Sequence, residues 1–150
     1  MRARGFTWFG LLAITTLAAI GLTRAASAAD EITVYKSPTC GCCLAWVDHL
    51  RANGFTVIVE EMRDLAAIKQ KLGVPRDLEA CHTATVDGYV VEGHVPAADI
   101  RQLLESKPDA KGVAVPGMPI GSPGMERGDE KEAYSVILFG DAGESVFATH

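Results

Sequence analysis

Three of the four cysteines in this chain fall within four residues, Cys40-Gly41-Cys42-Cys43. Thiolate sulfur is both a nucleophile for disulfide exchange and a ligand for soft metal ions. The spacing Cys40-x-x-Cys43 matches a redox pair, in which Cys40 attacks and Cys43 resolves. Cys42 has no task in that chemistry. As an extra donor it turns the same four residues into a cradle for a soft cation, and Cys81 supplies a fourth sulfur beside His82.

Zinc fits this spacing poorly, because structural zinc sites separate paired cysteines by two to four residues and adjacent Cys42 and Cys43 point apart. Adjacent thiolates suit a cluster holding more than one ion. Cu(I) accepts thiolate and thioether ligands at low coordination number, so one or several copper ions are the expected occupants. Met118 and Met125 offer thioethers from a Gly/Pro-rich segment and are auxiliary candidates, alongside a plain packing role. His82 is a candidate ligand, a neighbour that orients one, or simply a polar residue at a strand start. His94 and His150 have no demonstrable partner in the sequence, and His94, before Val95-Pro96, reads as a cap for the following helix. His49 lies seven residues past Cys42, about 10 Å along a helix, too far to share its metal.

The elements that must position these groups follow from periodicity and breakers. Ile32-Thr33-Val34-Tyr35 reads as a strand, and Ser37-Pro38-Thr39 as a turn with Thr39 capping a helix from Cys42 to about Asn53, its inward stripe Leu44, Val47 and Leu50. That arrangement puts the cysteines in a first helical turn, where free N–H groups favour thiolate. Phe55–Val59 is a second strand. Asp64 caps a second helix carrying Leu65, Ile68 and Leu72 and stopping at Gly73.

Thr83–Val86 and Tyr89–Glu92 flank Asp87-Gly88, a strong hairpin signal. Pro96 opens a third helix with Ile100, Leu103 and Leu104 inward, and Pro108 closes it. The order β-α-β-α-β-β-α is that of a thioredoxin-like α/β core. Between Gly112 and Gly128, five glycines and three prolines predict a loop. Tyr134–Phe139 and Ser145–Ala148 then predict an added C-terminal β-hairpin across Asp141-Ala142-Gly143 that extends the sheet or covers one face.

Arg2 and Arg4 precede an apolar run from Phe6 to Leu22, and Ala26-Ser27-Ala28 follows with the small residues a signal peptidase reads. The run is near the lower length limit for a membrane anchor, but the adjacent small-residue site favours cleavage after Ala28. Residues 1–28 are therefore expected to be a signal peptide and 29–150 a single mature domain. Cleavage removes Arg2, Arg4 and Arg24 and no acid, taking the net charge from −5 to −8. An acidic domain without a Lys/Arg cluster has no electrostatic footprint for nucleic acid and little attraction to a membrane after cleavage.

Taken together, Val34-Tyr35-Lys36, Pro38-Thr39-Cys40-Gly41-Cys42-Cys43, Cys81-His82-Thr83-Ala84, Glu92-Gly93-His94-Val95-Pro96 and Gly117-Met118-Pro119 to Gly124-Met125-Glu126 resemble the exported CopG/CusG-type copper-resistance proteins. That family was long catalogued as a domain of unknown function and is unrelated to the DNA-binding repressor also called CopG. The resemblance spans almost the whole mature chain. It implies a thioredoxin-like fold, residence in the periplasm, a role in copper homeostasis, and copper held by Cys40, Cys42, Cys43 and Cys81. Other periplasmic copper-handling proteins are then the expected partners, and the shared pattern makes His94 an auxiliary candidate donor or a neighbour of one.

Two other readings of the same residues stand beside a copper site. One is a thiol-disulfide oxidoreductase using Cys40 and Cys43. Such enzymes on this fold typically keep a cis-proline before the third strand, where this chain has Cys81-His82. The other is an exported adaptor whose cysteines are paired structurally, Cys40 or Cys42 with Cys81. Three clustered cysteines cannot all pair with one distant one.

Overall fold

The computed structural model describes residues 30–150; the signal peptide expected over residues 1–28 lies outside them. Strand β1 (Glu31–Lys36), helix α1 (Gly41–Ala52) and strand β2 (Thr56–Glu61) form a crossover unit with β1 and β2 parallel. Helix α2 (Leu65–Leu72) and a short 3-10 turn (Arg76–Leu78) lead to the hairpin β3 (His82–Val86) and β4 (Tyr89–Glu92). Helix α3 (Ala97–Ser106) is followed by β5 (Gly112–Ala114), β6 (Ser135–Gly140) and β7 (Gly143–Thr149). The strands make one sheet in the order β2-β1-β3-β4-β5-β6-β7. Its first four strands, with the three helices, are the expected thioredoxin-like core, and the C-terminal hairpin extends the sheet. No helix among the described residues is long and apolar enough to cross a membrane.

Local chemistry explains most boundaries. The Asp64 carboxylate accepts the Ala67 N–H at 3.2 Å and starts α2. Asp87 and Gly88 both have positive φ, the type I′ geometry that matches strand twist in a two-residue hairpin.

Three expectations fail. Thr39 does not cap α1: Cys40 does, its sulfur accepting the Cys43 N–H at 3.3 Å. Leu44 is 48% exposed, and the buried stripe is Cys43, Trp46, Val47 and Leu50. Val47 and Leu50 face inward as expected, while Cys43 and Trp46 complete the i, i+3, i+4, i+7 stripe in place of Leu44, a choice that a short apolar window does not make. Finally, the segment expected to be loop from Gly112 begins with a central strand, β5, parallel to β4 and antiparallel to β6. Glycine is required there because a Cβ on Gly112 would collide with the carbonyl oxygen of Val90.

The main core lies between the sheet and α1 and α3, built on Ile32, Val34, Trp46, Leu50, Val91, Ile100 and Leu103. A smaller cluster of Val74, Leu78, Val90, Ala114 and Phe139 fills the opposite face. On the α3 side of the sheet, His150 is tied down by two backbone hydrogen bonds with Tyr134 and by its Nε2, 2.7 Å from Asp99 Oδ2. His150 thus has the partner its sequence surroundings did not reveal.

Candidate metal centre

The cysteines meet where β1 ends and β3 begins. Cys40 N–H donates to the Ser37 carbonyl across the Pro38-Thr39 turn, so the chain enters α1 with Cys40 at the cap and Cys42 and Cys43 in the first turn. Register places Lys36 opposite His82, which brings Cys81 over that turn from the adjacent strand. Cys40 and Cys43 are joined as a disulfide, and Cys42 and Cys81 are free thiols. The four sulfurs close a ring. Besides the bond, Cys40 Sγ lies 3.5 Å from Cys42 Sγ, Cys42 Sγ lies 4.0 Å from Cys81 Sγ, and Cys81 Sγ lies 3.5 Å from Cys43 Sγ.

Two histidines extend this ring through one sulfur. Cys81 Sγ is 3.2 Å from His82 Nδ1 and 3.1 Å from His94 Nε2. Two groups with the spacing to hold a metal ion therefore share Cys81: the four cysteines, and Cys81 with His82 and His94. His94 Nδ1 donates to the Pro123 carbonyl at 2.8 Å, which leaves the Nε2 lone pair aimed at sulfur. His82 lies against the Trp46 ring, centroids 4.3 Å apart, and its Nε2 is buried without a hydrogen-bond partner. Trp46 in turn donates Nε1–H to the Val95 carbonyl at 2.8 Å, pinning the His94-Val95 segment to α1.

The segment after β5 reaches the same helix. A Cβ on Gly124 would meet Cys42 O and Trp46 N at 2.8 Å, so this backbone packs directly on the first turn of α1. That approach delivers the Pro123 carbonyl to His94. Met125 follows, partly buried, while Met118 is 51% exposed. His94 does not cap α3. His49 does, its Nε2 accepting the Ala97 N–H at 3.1 Å, a role that its distance from Cys42 did not suggest.

Burial and the nearby Cys42 push the Cys81 thiol up to about 12, so the easily formed thiolate expected of the helix turn does not extend to Cys81. Ligation there must displace a proton. Burial lowers His49, His82 and His94 below the ordinary 6.5, furthest for His82. A histidine held below its unfolded value stabilises the fold fully above that value, and the contribution is lost as pH falls toward the folded one. The metal-free protein is therefore expected to lose stability as pH drops below about 6.5. Thermal melts at pH 7.5, 6.5 and 5.5 check this, and equal midpoints would contradict it.

Sequence reasoning missed an ion pair on the other face of the sheet. Lys69, the one fully buried residue of α2, lies 2.5 Å from Glu92 Oε1. Lys69 occupies the inward position four residues after Leu65, so a cation on an otherwise apolar stripe was the available signal. Burial pushes the Glu92 carboxyl up, while Lys69, Thr83 and the Ala80 N–H oppose that shift.

A family model described as "Protein of unknown function, DUF411" matches residues 78–125. A solved structure named copper resistance protein CopG, form 2, is 49% identical, with a TM-score of 0.79, over 82% of this chain and 99% of its own. Form 1 is 50% identical, with a TM-score of 0.76, over 80% and 96%. Among curated proteins, nothing matches.

Proposed function

Since this chain belongs to the copper resistance protein CopG family, we propose that it is a periplasmic copper-resistance protein holding Cu(I) in a multi-cysteine thiolate site. The observation that carries the reading is the closed ring of four sulfurs, no neighbouring pair more than 4.0 Å apart, with the lone-pair nitrogen of His94 beside it. That donor set is soft, rich in sulfur and partly shielded, which suits Cu(I). Cys81, shared between the two ligand sets, is the natural bridge between ions in a polynuclear site. The leader is cleaved after Ala28, and the mature domain buffers copper or passes it to other periplasmic copper-handling proteins. Met118 and Met125 are auxiliary thioether donors.

The disulfide gives this reading a switch. With Cys40 and Cys43 bonded, only Cys42 and Cys81 remain as thiols. Reduction takes up two electrons and two protons and restores four sulfur ligands. Mature protein reduced and then freed of reductant is expected to bind Cu(I) at least tenfold more tightly than the disulfide form, as read by competition with a Cu(I)-specific chelator. Equal affinities would remove the four-thiolate site.

The same disulfide supports a second reading, an oxidoreductase. In a copper-linked version, the Cys40/Cys43 dithiol gives two electrons to two Cu(II) ions, yielding two Cu(I), the disulfide and two protons. In a copper-free version, the pair exchanges with protein disulfides and Cys42 is dispensable. Robust turnover by metal-free Cys42→Ser, with negligible copper affinity in the parent protein, would favour the copper-free version.

A further inference from the structure

Cys81 has no helix turn to hold it; it lies in the connection just before β3, yet both ligand sets need its sulfur. What fixes it is on the opposite face of the sheet. The Glu92 carboxylate is fully buried and takes three donors: Lys69 Nζ at 2.5 Å and the Ala80 N–H at 2.6 Å on Oε1, and the Thr83 hydroxyl at 2.6 Å on Oε2. Lys69 also donates to Thr83 Oγ1 at 2.8 Å. Ala80 and Thr83 bracket Cys81 in sequence, one residue before it and two after. Gly93, directly after β4, adds a further tie, its N–H donating to the His82 carbonyl at 3.1 Å.

A buried ion pair contributes little net stability by itself, because desolvation offsets the attraction between its charges. This pair also consumes positions on α2 and β4 that apolar side chains could fill. Its distinctive product is geometric: one carboxylate, anchored by one ammonium, grips the backbone before Cys81 and the side chain after it. We infer that Glu92, locked by Lys69, is a positioning residue that sets the Cys81 sulfur within reach of Cys42, Cys43 and His94. Its effect on thiol geometry is independent of the ligand; its effect on copper rests on the copper reading above.

The test uses the metal-free, fully reduced mature protein and measures iodoacetamide labelling of each cysteine at one fixed pH by mass spectrometry. In Glu92→Gln one acceptor oxygen becomes a donor, so either the Ala80 N–H or the Thr83 hydroxyl loses its present partner. Cys81 is expected to label about tenfold faster, with Cys40 and Cys42 unchanged, and Cu(I) affinity by chelator competition to fall about tenfold to a hundredfold, the range seen when partners of metal ligands are lost. Lys69→Arg keeps a cation and is expected to keep Cys81 at the parent rate. If Glu92→Gln does not fold, Thr83→Val decides, since it removes one grip and leaves the ion pair; a selective rise at Cys81 supports the inference. A folded variant with the parent Cys81 rate overturns it, as does an equal rise at all four cysteines, which would mean only a looser fold. A selective rise in protein that binds no Cu(I), parent included, sustains the positioning role and sinks the copper reading instead.

Discussion

Replacing Cys40, Cys42, Cys43 and Cys81 together by serine is expected to bring the copper bound by purified mature protein to background. Serine presents a neutral hard oxygen at neutral pH, a poor donor to a soft ion, so the site loses its chemistry while keeping nearly the same shape. Among the single variants, Cys81→Ser should cost the most, at least a hundredfold in Cu(I) affinity, because both ligand sets pass through that sulfur. Cys40→Ser leaves the other three sulfurs and both histidines in place and should cost less. Cys43 needs a control, since its side chain is fully buried and a hydroxyl there without a partner costs about 1–3 kcal/mol of stability. Cys43→Ala separates that effect from ligand loss. Elemental analysis per folded protein, with circular dichroism alongside, is the measurement; an unchanged copper ratio in the quadruple variant would end the proposal.

The largest single effect on stability is expected from Gly112→Ala. β5 is only three residues long, yet it joins the thioredoxin-like strands to the C-terminal hairpin, pairing with β4 on one side and β6 on the other. The added methyl would overlap the Val90 carbonyl, a backbone atom that cannot rotate away. The β4–β5 ladder must then open, including the Val90 N–H to Lys111 O bond at 2.9 Å and the Val115 N–H to Glu92 O bond at 2.9 Å. Overpacking of this kind costs roughly 3 kcal/mol, which for a domain of this size lowers the melting midpoint by on the order of 10 °C. Gly41→Ala is the matched control: nothing lies within 4 Å of a Cβ there, and the change should be neutral or slightly stabilising. Coincident melting of Gly112→Ala and the parent protein would contradict the account.

Most of the architecture was legible because its signals are local. Strand alternation, the Asp64 cap, the Asp87-Gly88 turn and Pro96 each act within a few residues, and together they order the first seven elements. The errors share a physical cause. Leu44 and Trp46 are both apolar in one short helix, and only the partner surface decides which is covered. Gly112 reads as a breaker until Val90 is placed against it, at which point the missing side chain is what permits the strand. The cap of α3 comes from His49, 48 residues away, and no local window contains that hydrogen bond.

Residue types alone supplied the candidate donors of the proposed site. Four sulfurs and two imidazoles of the right softness are present, three of the sulfurs held close by the covalent chain through Cys40-Gly41-Cys42-Cys43. Local pattern also determined the βα scaffold that presents them. Which of those candidate donors stand together depends on the packed fold. Cys81 reaches the cluster because β3 pairs antiparallel with β1, placing its sulfur within 4.0 Å of those of Cys42 and Cys43, 39 and 38 positions earlier. His94 offers Nε2 because a loop 29 residues further on presents the Pro123 carbonyl to Nδ1. Cys81 is held by a carboxylate on the far side of the sheet. Hydrogen bonds and ligand geometry depend on distances of a few ångströms between segments far apart in the chain, and those distances exist only once the sheet and its helices have packed.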